Sequence, residues 1–111
     1  MSSVTGNVTN NTNFAVTVSS GGASHGDNPT ILKPTVPAHT TLSSVFVANS
    51  SGAGVEGTVI LKGNGVQWSL NYDDPVVGSN SGSVNSPSGY SGSCQVGGGD
   101  DAIFGYTIGQ N

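Results

Sequence analysis

Two pairs of adjacent carboxylates are the residues of this 111-residue chain that could most readily take part in chemistry. Asp73 and Asp74 interrupt the segment WSLNYDDPVVGSN, and Asp100 and Asp101 end the run GGGDD. Calcium binds several oxygen atoms, so carboxylates in such loops are candidate ligands. Neither pair has the D-x-D-x-D-G spacing of a calcium loop, and aspartate also initiates turns by bonding its own backbone. We therefore predict turns and no metal site, with Asp100 and Asp101 as the weaker alternative, because their loop offers carbonyl oxygens too.

No set of residues indicates an enzyme. His25 and His39 both lie in polar, loop-like segments, and serine is too frequent for a Ser-His-Asp arrangement to be inferred. Neither a G-x-S-x-G nor an H-E-x-x-H pattern occurs. A glycosidase needs two carboxylates across a cleft, whereas the six acids here fall mostly in predicted turns. The sequence therefore predicts a protein without catalytic residues and without a cofactor.

The charge balance excludes several classes of partner. Charged residues make up only 7% of the chain, and the formal net charge of −4 arises from six acids and two lysines, Lys33 and Lys62. Two lysines cannot build the basic patch that nucleic-acid binding requires. The same scarcity argues against electrostatic attachment to anionic lipids, which needs clustered basic residues. We predict no nucleic-acid partner, and any membrane contact must be apolar or specific for a headgroup.

Targeting signals are not evident in the sequence. The start, MSSVTGNV, lacks the charged and apolar regions of a secretory signal. No run approaches the roughly 18 apolar residues of a transmembrane helix. Cys94 is the single cysteine, which excludes an internal disulfide. These features predict a soluble chain that, if it leaves the cell, is released or secreted by a route other than a standard signal peptide.

The segments that would position these residues are short β-strands, and no helical periodicity is visible. The clearest signal is a hairpin in which residues 55–61 and 66–72 flank Asn64-Gly65, a pair typical of two-residue turns. The second of these strands alternates apolar and polar residues, so one face is predicted to be core and the other exposed. The apolar face consists of Val66, Trp68, Leu70 and Tyr72.

Further strands are predicted on both sides of this hairpin. Residues 4–9 and 14–19 flank the run NNTN and predict a second hairpin, and residues 90–96 and 102–108 flank GGGDD and predict a third. A long Ser/Gly/Asn loop is expected from about residue 78 to residue 89. About seven or eight short strands separated by turn residues indicate an all-β fold. We predict a single-domain antiparallel β-sandwich that comprises residues 1–111.

The chain leaves the predicted strand after Tyr72, at the segment DDPVV. Proline ends a strand because it cannot donate a ladder hydrogen bond, but it does not explain the two valines that follow it. If they are exposed, Val76 and Val77 form with Tyr72 a small apolar patch rimmed by polar residues. Such a patch suits a lipid surface or a protein partner. The alternative is that both valines fold back into the core.

Three motifs in residues 54–80 resemble those of the aegerolysin family: GVEGTV, then LNYDDP, then GSN. In that family a T-E-G-x-x-type strand precedes a hairpin and an aromatic-Asp-x-Pro segment, followed shortly by G-S-x-x or G-S-N. The runs VTNNTNFAVTV and FGYTI also look similar, so the resemblance covers most of the chain in order and spacing. The chain looks most like the branch that contains the small subunits of bacterial two-component insecticidal proteins.

The resemblance implies a β-sandwich that recognises membrane lipids, often sphingolipids, and forms pores together with a larger partner protein. It assigns the aromatic-Asp-x-Pro motif to Tyr72, Asp73 and Pro75, near the lipid-facing end. Fungal members typically carry tryptophans at the aromatic position and after the proline, where this chain has Tyr72 and Val76. Interfacial Trp and Tyr rings anchor proteins at headgroup depth, so the absence of these tryptophans weakens the implied binding of sphingolipids.

Together these features predict a non-enzymatic protein that binds membrane lipid, as one component of a two-component pore-forming or toxin system. The predicted lipid-binding residues are Tyr72, Asp73, Pro75, Val76 and Val77. The alternative is a lectin-like glycan-binding module, with calcium in a loop such as GGGDD, because a surface rich in Ser, Asn and Asp suits sugar hydroxyls. A third hypothesis, a self-assembling β protein, is based on the low charge and the long polar loops.

Overall fold

Alternating burial along the strands follows from the period-two pattern of the sequence. In the computed structural model, which describes residues 2–111, the first strand alternates strictly between buried and half-buried side chains. The strands are β1 (Ser2–Asn10), β2 (Val16–His25), β3 (Thr30–Ile31), β4 (Thr35–Val36), β5 (Thr40–Ser50), β6 (Val55–Gly63), β7 (Val66–Asp74), β8 (Ser81–Asn85), β9 (Tyr90–Gln95) and β10 (Asp101–Gln110). No residue from 2 to 111 is helical, and so this part of the chain contains no helix that could cross a membrane.

The ten strands form two five-stranded sheets. Sheet A has the order β3-β5-β1-β10-β9, and sheet B has the order β4-β2-β6-β7-β8. Apolar side chains from both sheets share one core, in which the rings of Phe46, Trp68 and Phe104 are fully buried. The predicted all-β sandwich is therefore confirmed, with ten strands in place of the expected seven or eight.

Strand β1 lies in the middle of sheet A between partners of opposite direction. It pairs with β5 in antiparallel fashion and with β10 in parallel fashion, from Ser3 opposite Asp101 to Asn10 opposite Ile108. Every other strand pair in residues 2–111 is antiparallel. The antiparallel character predicted from the sequence thus holds, with this single parallel pair as the exception.

The hairpin predicted around NNTN is wrong, because β1 and β2 belong to different sheets. The connection crosses from sheet A to sheet B, and Asn10 and Thr12 are buried within it. The side chain of Asn10 donates hydrogen bonds to backbone oxygens of Phe14, Val36 and Pro37. It also accepts a hydrogen bond from the backbone N–H of Thr12. These bonds replace the ladder that a hairpin would have supplied.

The long loop predicted between residues 78 and 89 is also wrong, since it contains β8. This polar strand pairs with β7 at the edge of sheet B, from Ser69 opposite Asn85 to Asp73 opposite Ser81. The hairpin between β6 and β7 is confirmed, and Asn64 and Gly65 adopt φ values of 51° and 76°. Positive φ at both positions is what a type I′ turn requires.

Four loops lie together at one end of the sandwich because of this connectivity. Residues 51–54 join the end of β5 to the start of β6, and residues 75–80 join β7 to β8. Residues 96–100 precede β10, whose Asp101 lies opposite Ser3 at the start of β1. Residues 26–29 follow β2, whose last residue lies opposite Glu56.

Candidate functional site

The loop end just described carries all the acidic residues of the chain, and we call it the acidic end. The six acids lie in its loops or at the strand ends that adjoin them: Asp27, Glu56, Asp73, Asp74, Asp100 and Asp101. Neither lysine lies there, because Lys62 pairs with Thr17 near the opposite hairpin and the Lys33 ammonium bonds the backbone oxygen of Ser43. The protein is therefore electrostatically polar, with its negative charge at one end.

An apolar loop projects from this end. Val76 is 69% exposed and Val77 is 87% exposed, so the valines do not fold back into the core. Pro75 ends the strand, and Gly54 lies so close to it that a Cβ at Gly54 would approach Pro75 Cα to 2.8 Å. Gly78 has a φ of 106°, which turns the chain directly after the valines. The loop is thus held at its base while its two valines face solvent.

A cavity of about 380 Å³ lies beside the valines, and we call it the valine cavity. Its walls are formed by His25, Ala53, Gly54, Glu56, Asp73, Pro75, Val76 and Val77. His25 Nδ1 and Glu56 Oε1 are 2.9 Å apart at its rim. Burial raises the pKa of Asp73, and Glu56 raises it further, while His25 lowers it. The cavity combines apolar walls with acceptor groups, which suits an amphiphilic ligand.

Tyr72, which the sequence placed among the lipid-binding residues, does not line the valine cavity and lies in the core. Its side chain is only 1% exposed and its ring centroid lies 5.6 Å from that of Phe46 in the core. The position opposite it on β6 is Gly57, where a Cβ would collide with the tyrosine hydroxyl. Tyr72 therefore continues the core-facing row of Trp68 and Leu70, which the alternation of the sequence already indicated.

Asp74 is a buried acidic residue that the turn prediction missed. It occupies the next core-facing position of β7, it is only 1% exposed, and its Oδ2 has no hydrogen-bond partner in residues 2–111. Burial raises the pKa of Asp74, and the charges of Asp100, Asp101 and Asp73 raise it further. The signal that could have identified it is the same alternation, extended by two residues beyond Tyr72.

A second cavity, of about 500 Å³, adjoins Asp74, and we call it the aspartate cavity. The loops 75–80 and 96–100 form it, and Asp100 also lines it. Asp101 is directed elsewhere, because its Oδ1 accepts a hydrogen bond of 2.8 Å from Ser3 Oγ. The structure thus separates the pair Asp100 and Asp101 and places Asp100 with Asp74. Within residues 2–111, no group of three His, Cys, Asp or Glu side chains is arranged to hold a metal ion.

A polar groove of about 680 Å³ runs over the outer face of sheet B. Thr58 Oγ1 donates to Asn71 Oδ1 at 2.9 Å, and Asn71 Nδ2 donates to Ser83 Oγ at 3.2 Å. The groove also reaches Glu56 and Asp73. The sequence predicted a polar face here, but the row of side chains across three strands depends on β8, which was not predicted.

Comparison with known proteins identifies the fold. No model of a known protein family matches the chain, and no curated protein matches it in sequence. Among solved structures, it is similar to the "lipid binding protein Nakanori", with a TM-score of 0.75. That similarity covers 98% of this chain and 71% of the other, at 14% sequence identity. The two proteins therefore share a fold.

Proposed function

We propose that this protein binds membrane lipid through residues 75–80, which we call the valine loop, and the valine cavity at the acidic end. The observation that carries the proposal is the exposure of Val76 and Val77, 69% and 87%, next to an apolar-walled cavity. Burying a valine side chain contributes about 1.5–3 kcal/mol. The fold is shared with a protein described as lipid binding, which supports the proposal.

The two valines by themselves explain only weak attachment. Their combined burial yields about 3–6 kcal/mol, whereas a dissociation constant of 1 mM already needs about 4 kcal/mol. Useful affinity therefore requires headgroup contacts, and Asp73 and Glu56 in the valine cavity are placed to supply them. Carboxylates accept hydrogen bonds from hydroxyl, amide or ammonium groups of a headgroup. On the resemblance of residues 54–80, we extend the proposal to sphingolipids.

Vesicle co-sedimentation tests this proposal. The vesicles are phosphatidylcholine alone, phosphatidylcholine with sphingomyelin and sterol, and phosphatidylcholine with ceramide phosphoethanolamine. The double variant Val76→Ser/Val77→Ser should fold normally, because both side chains are exposed, and should bind roughly tenfold or more weakly. Leu32→Ser is the matched control, since Leu32 is 52% exposed but lies outside the valine cavity. Equal binding by the double variant and the wild-type protein would exclude the valine loop.

The resemblance also supports a role as one component of a two-component pore-forming or toxin system. On that hypothesis the protein supplies lipid recognition and a larger partner supplies membrane insertion. We therefore expect the protein alone to bind vesicles without releasing a trapped dye. Dye release by the protein alone, at concentrations at which it binds, would show that no partner is needed.

Glycan binding is the second candidate, and the polar groove on sheet B favours it. The row Thr58, Asn71 and Ser83 offers hydroxyl and amide groups at the spacing of adjacent strands. Such groups can exchange their mutual hydrogen bonds for bonds to sugar hydroxyls. A glycan array with the wild-type protein and Asn71→Ala would separate the two functions. Sugar binding that Asn71→Ala abolishes, together with no pelleting on any vesicle, would favour the lectin.

A further inference from the structure

Asp74 is a carboxylate at a position of β7 that faces the core, because side chains along the strand alternate between the core and the outer face. Its side chain is 1% exposed, and Oδ2 accepts no hydrogen bond from residues 2–111. A buried carboxylate without a partner costs several kcal/mol, so such groups are normally paired, protonated or bound to a metal. No lysine lies in the walls of the cavity that Asp74 lines. Among residues 2–111, no lysine or histidine of the cavity walls therefore supplies a cation to this carboxylate.

The walls of the aspartate cavity are rich in oxygen atoms. Two loops form it, and Asn80 ties them together because its Nδ2 donates to the backbone oxygens of Gly97 at 2.9 Å and Gly99 at 3.0 Å. Each of these carbonyl oxygens keeps a second lone pair. Asp100 and Ser79 line the same space. Carboxylates, carbonyls and room for water are therefore combined at one place.

We propose that the aspartate cavity binds a calcium ion between the carboxylates of Asp74 and Asp100. Calcium accepts six to eight oxygen ligands in flexible geometry, so carbonyl oxygens of the glycine-rich loop and water can complete its shell. Zinc is disfavoured because it prefers histidine and cysteine ligands, and the walls contain neither. Magnesium demands a near-ideal octahedron and dehydrates reluctantly. This site is independent of lipid binding, and it differs from the pair Asp100 and Asp101 that the sequence indicated.

The affinity should be modest. Two carboxylates provide less charge than the sites of intracellular calcium sensors, and calcium modules with few acidic ligands have dissociation constants on the order of 10⁻⁴–10⁻³ M. Binding to the folded state alone stabilises it by RT ln(1 + [Ca²⁺]/Kd). The melting temperature should therefore rise steadily with calcium across the millimolar range.

The test combines thermal unfolding with titration calorimetry on the full chain after treatment with EDTA. Calcium chloride is compared with magnesium chloride at equal ionic strength. Asp100→Asn removes a ligand at an exposed position, and Asp74→Asn removes the buried one with little change in shape. Asp27→Asn is the matched control, because Asp27 is an exposed acid of the same end that does not line the cavity.

Calcium should raise the melting temperature of the wild-type protein and of Asp27→Asn, and magnesium should do so much less. Asp100→Asn should weaken calcium binding roughly tenfold or more, and its exposed position keeps this readout available even if Asp74→Asn fails to fold. The absence of heat and of any melting shift up to about 10 mM calcium would overturn the proposal. It would also be overturned by an equal loss of the response in Asp27→Asn and Asp100→Asn, which would indicate general screening of the acidic end.

Discussion

Tyr72 and Tyr106 both place a hydroxyl group in the core, but the two hydroxyl groups differ in their hydrogen bonding. Tyr106 Oη donates a hydrogen bond of 2.7 Å to the backbone oxygen of Asn71. Tyr72 Oη is buried without a partner in residues 2–111. Burial raises the pKa of Tyr72 to about 12 and raises the pKa of Tyr106 as well, the latter with a further contribution from Cys94. The two residues therefore allow one chemical change to be tested in two environments.

Removal of the hydroxyl should have opposite effects at the two positions. Tyr72→Phe should raise the free energy of unfolding by up to about 1 kcal/mol, because a buried unsatisfied group disappears. Tyr106→Phe should lower it by about 1–2 kcal/mol, because the carbonyl of Asn71 loses a buried donor. Urea unfolding at neutral pH measures both. A loss of stability in Tyr72→Phe equal to that in Tyr106→Phe would contradict this account.

The same variants test how the free energy of unfolding changes with pH under alkaline conditions. A tyrosine ionises near pH 10 in the unfolded chain, whereas Tyr72 in the folded protein ionises at about 12. The unfolded state therefore loses its proton first, and stability should fall as the pH rises from 10 to 12, by about 1.4 kcal/mol per pH unit for each such tyrosine. Tyr72→Phe should show the shallower dependence.

At the scale of the elements, the sequence predicts those strands and turns whose structure is decided by local signals. The hairpin of β6 and β7 has its turn at Asn64-Gly65 and its alternation in one short segment, and both are as predicted. The run NNTN has the composition of a hairpin turn, yet it crosses between sheets, because the bonds that Asn10 makes to residues 36 and 37 cannot be read from its neighbours. Strand β8 was missed because it consists mostly of polar residues and gains its order from pairing with β7.

The crossing from β1 to β2 should depend on the amide of Asn10. Asn10→Asp keeps the shape but replaces the donor with an oxygen that faces the carbonyls of Phe14, Val36 and Pro37. We expect a loss of about 2–4 kcal/mol in the free energy of unfolding, because several buried groups lose their partner. Asn11→Asp adds the same charge at the neighbouring exposed position and should cost less than about 0.5 kcal/mol. Comparable losses in the two variants would show that charge alone, and not the amide, matters.

At the scale of the whole molecule, the main feature is the separation of charge along the sandwich. The six acids are scattered in sequence from residue 27 to residue 101. Strand connectivity collects them at one end, so the sequence showed the net charge but could not show its location. The sequence left open whether Val76 and Val77 are exposed or fold back into the core, and it could not predict the valine and aspartate cavities, because these depend on which loops meet. With a longest dimension of 39 Å, the molecule is several Debye lengths long at physiological salt, where that length is about 8 Å. The electrostatic potential at a membrane near the acidic end therefore arises mainly from the six acidic residues.

This polarity predicts how lipid charge affects binding. With EDTA present, replacement of about a quarter of the zwitterionic lipid by an anionic lipid should weaken vesicle binding at low salt, because the carboxylates around the valine loop are repelled. An increase in salt from about 0.01 M to about 0.15 M shortens the Debye length from about 30 Å to about 8 Å and should restore much of the binding. Asp27→Asn/Asp101→Asn changes no residue that lines the valine cavity and should reduce the penalty, whereas Lys33→Gln should not. Stronger binding to the anionic vesicles under these conditions would mean that the acidic end does not face the membrane. A surface other than the valine loop would then make the membrane contact.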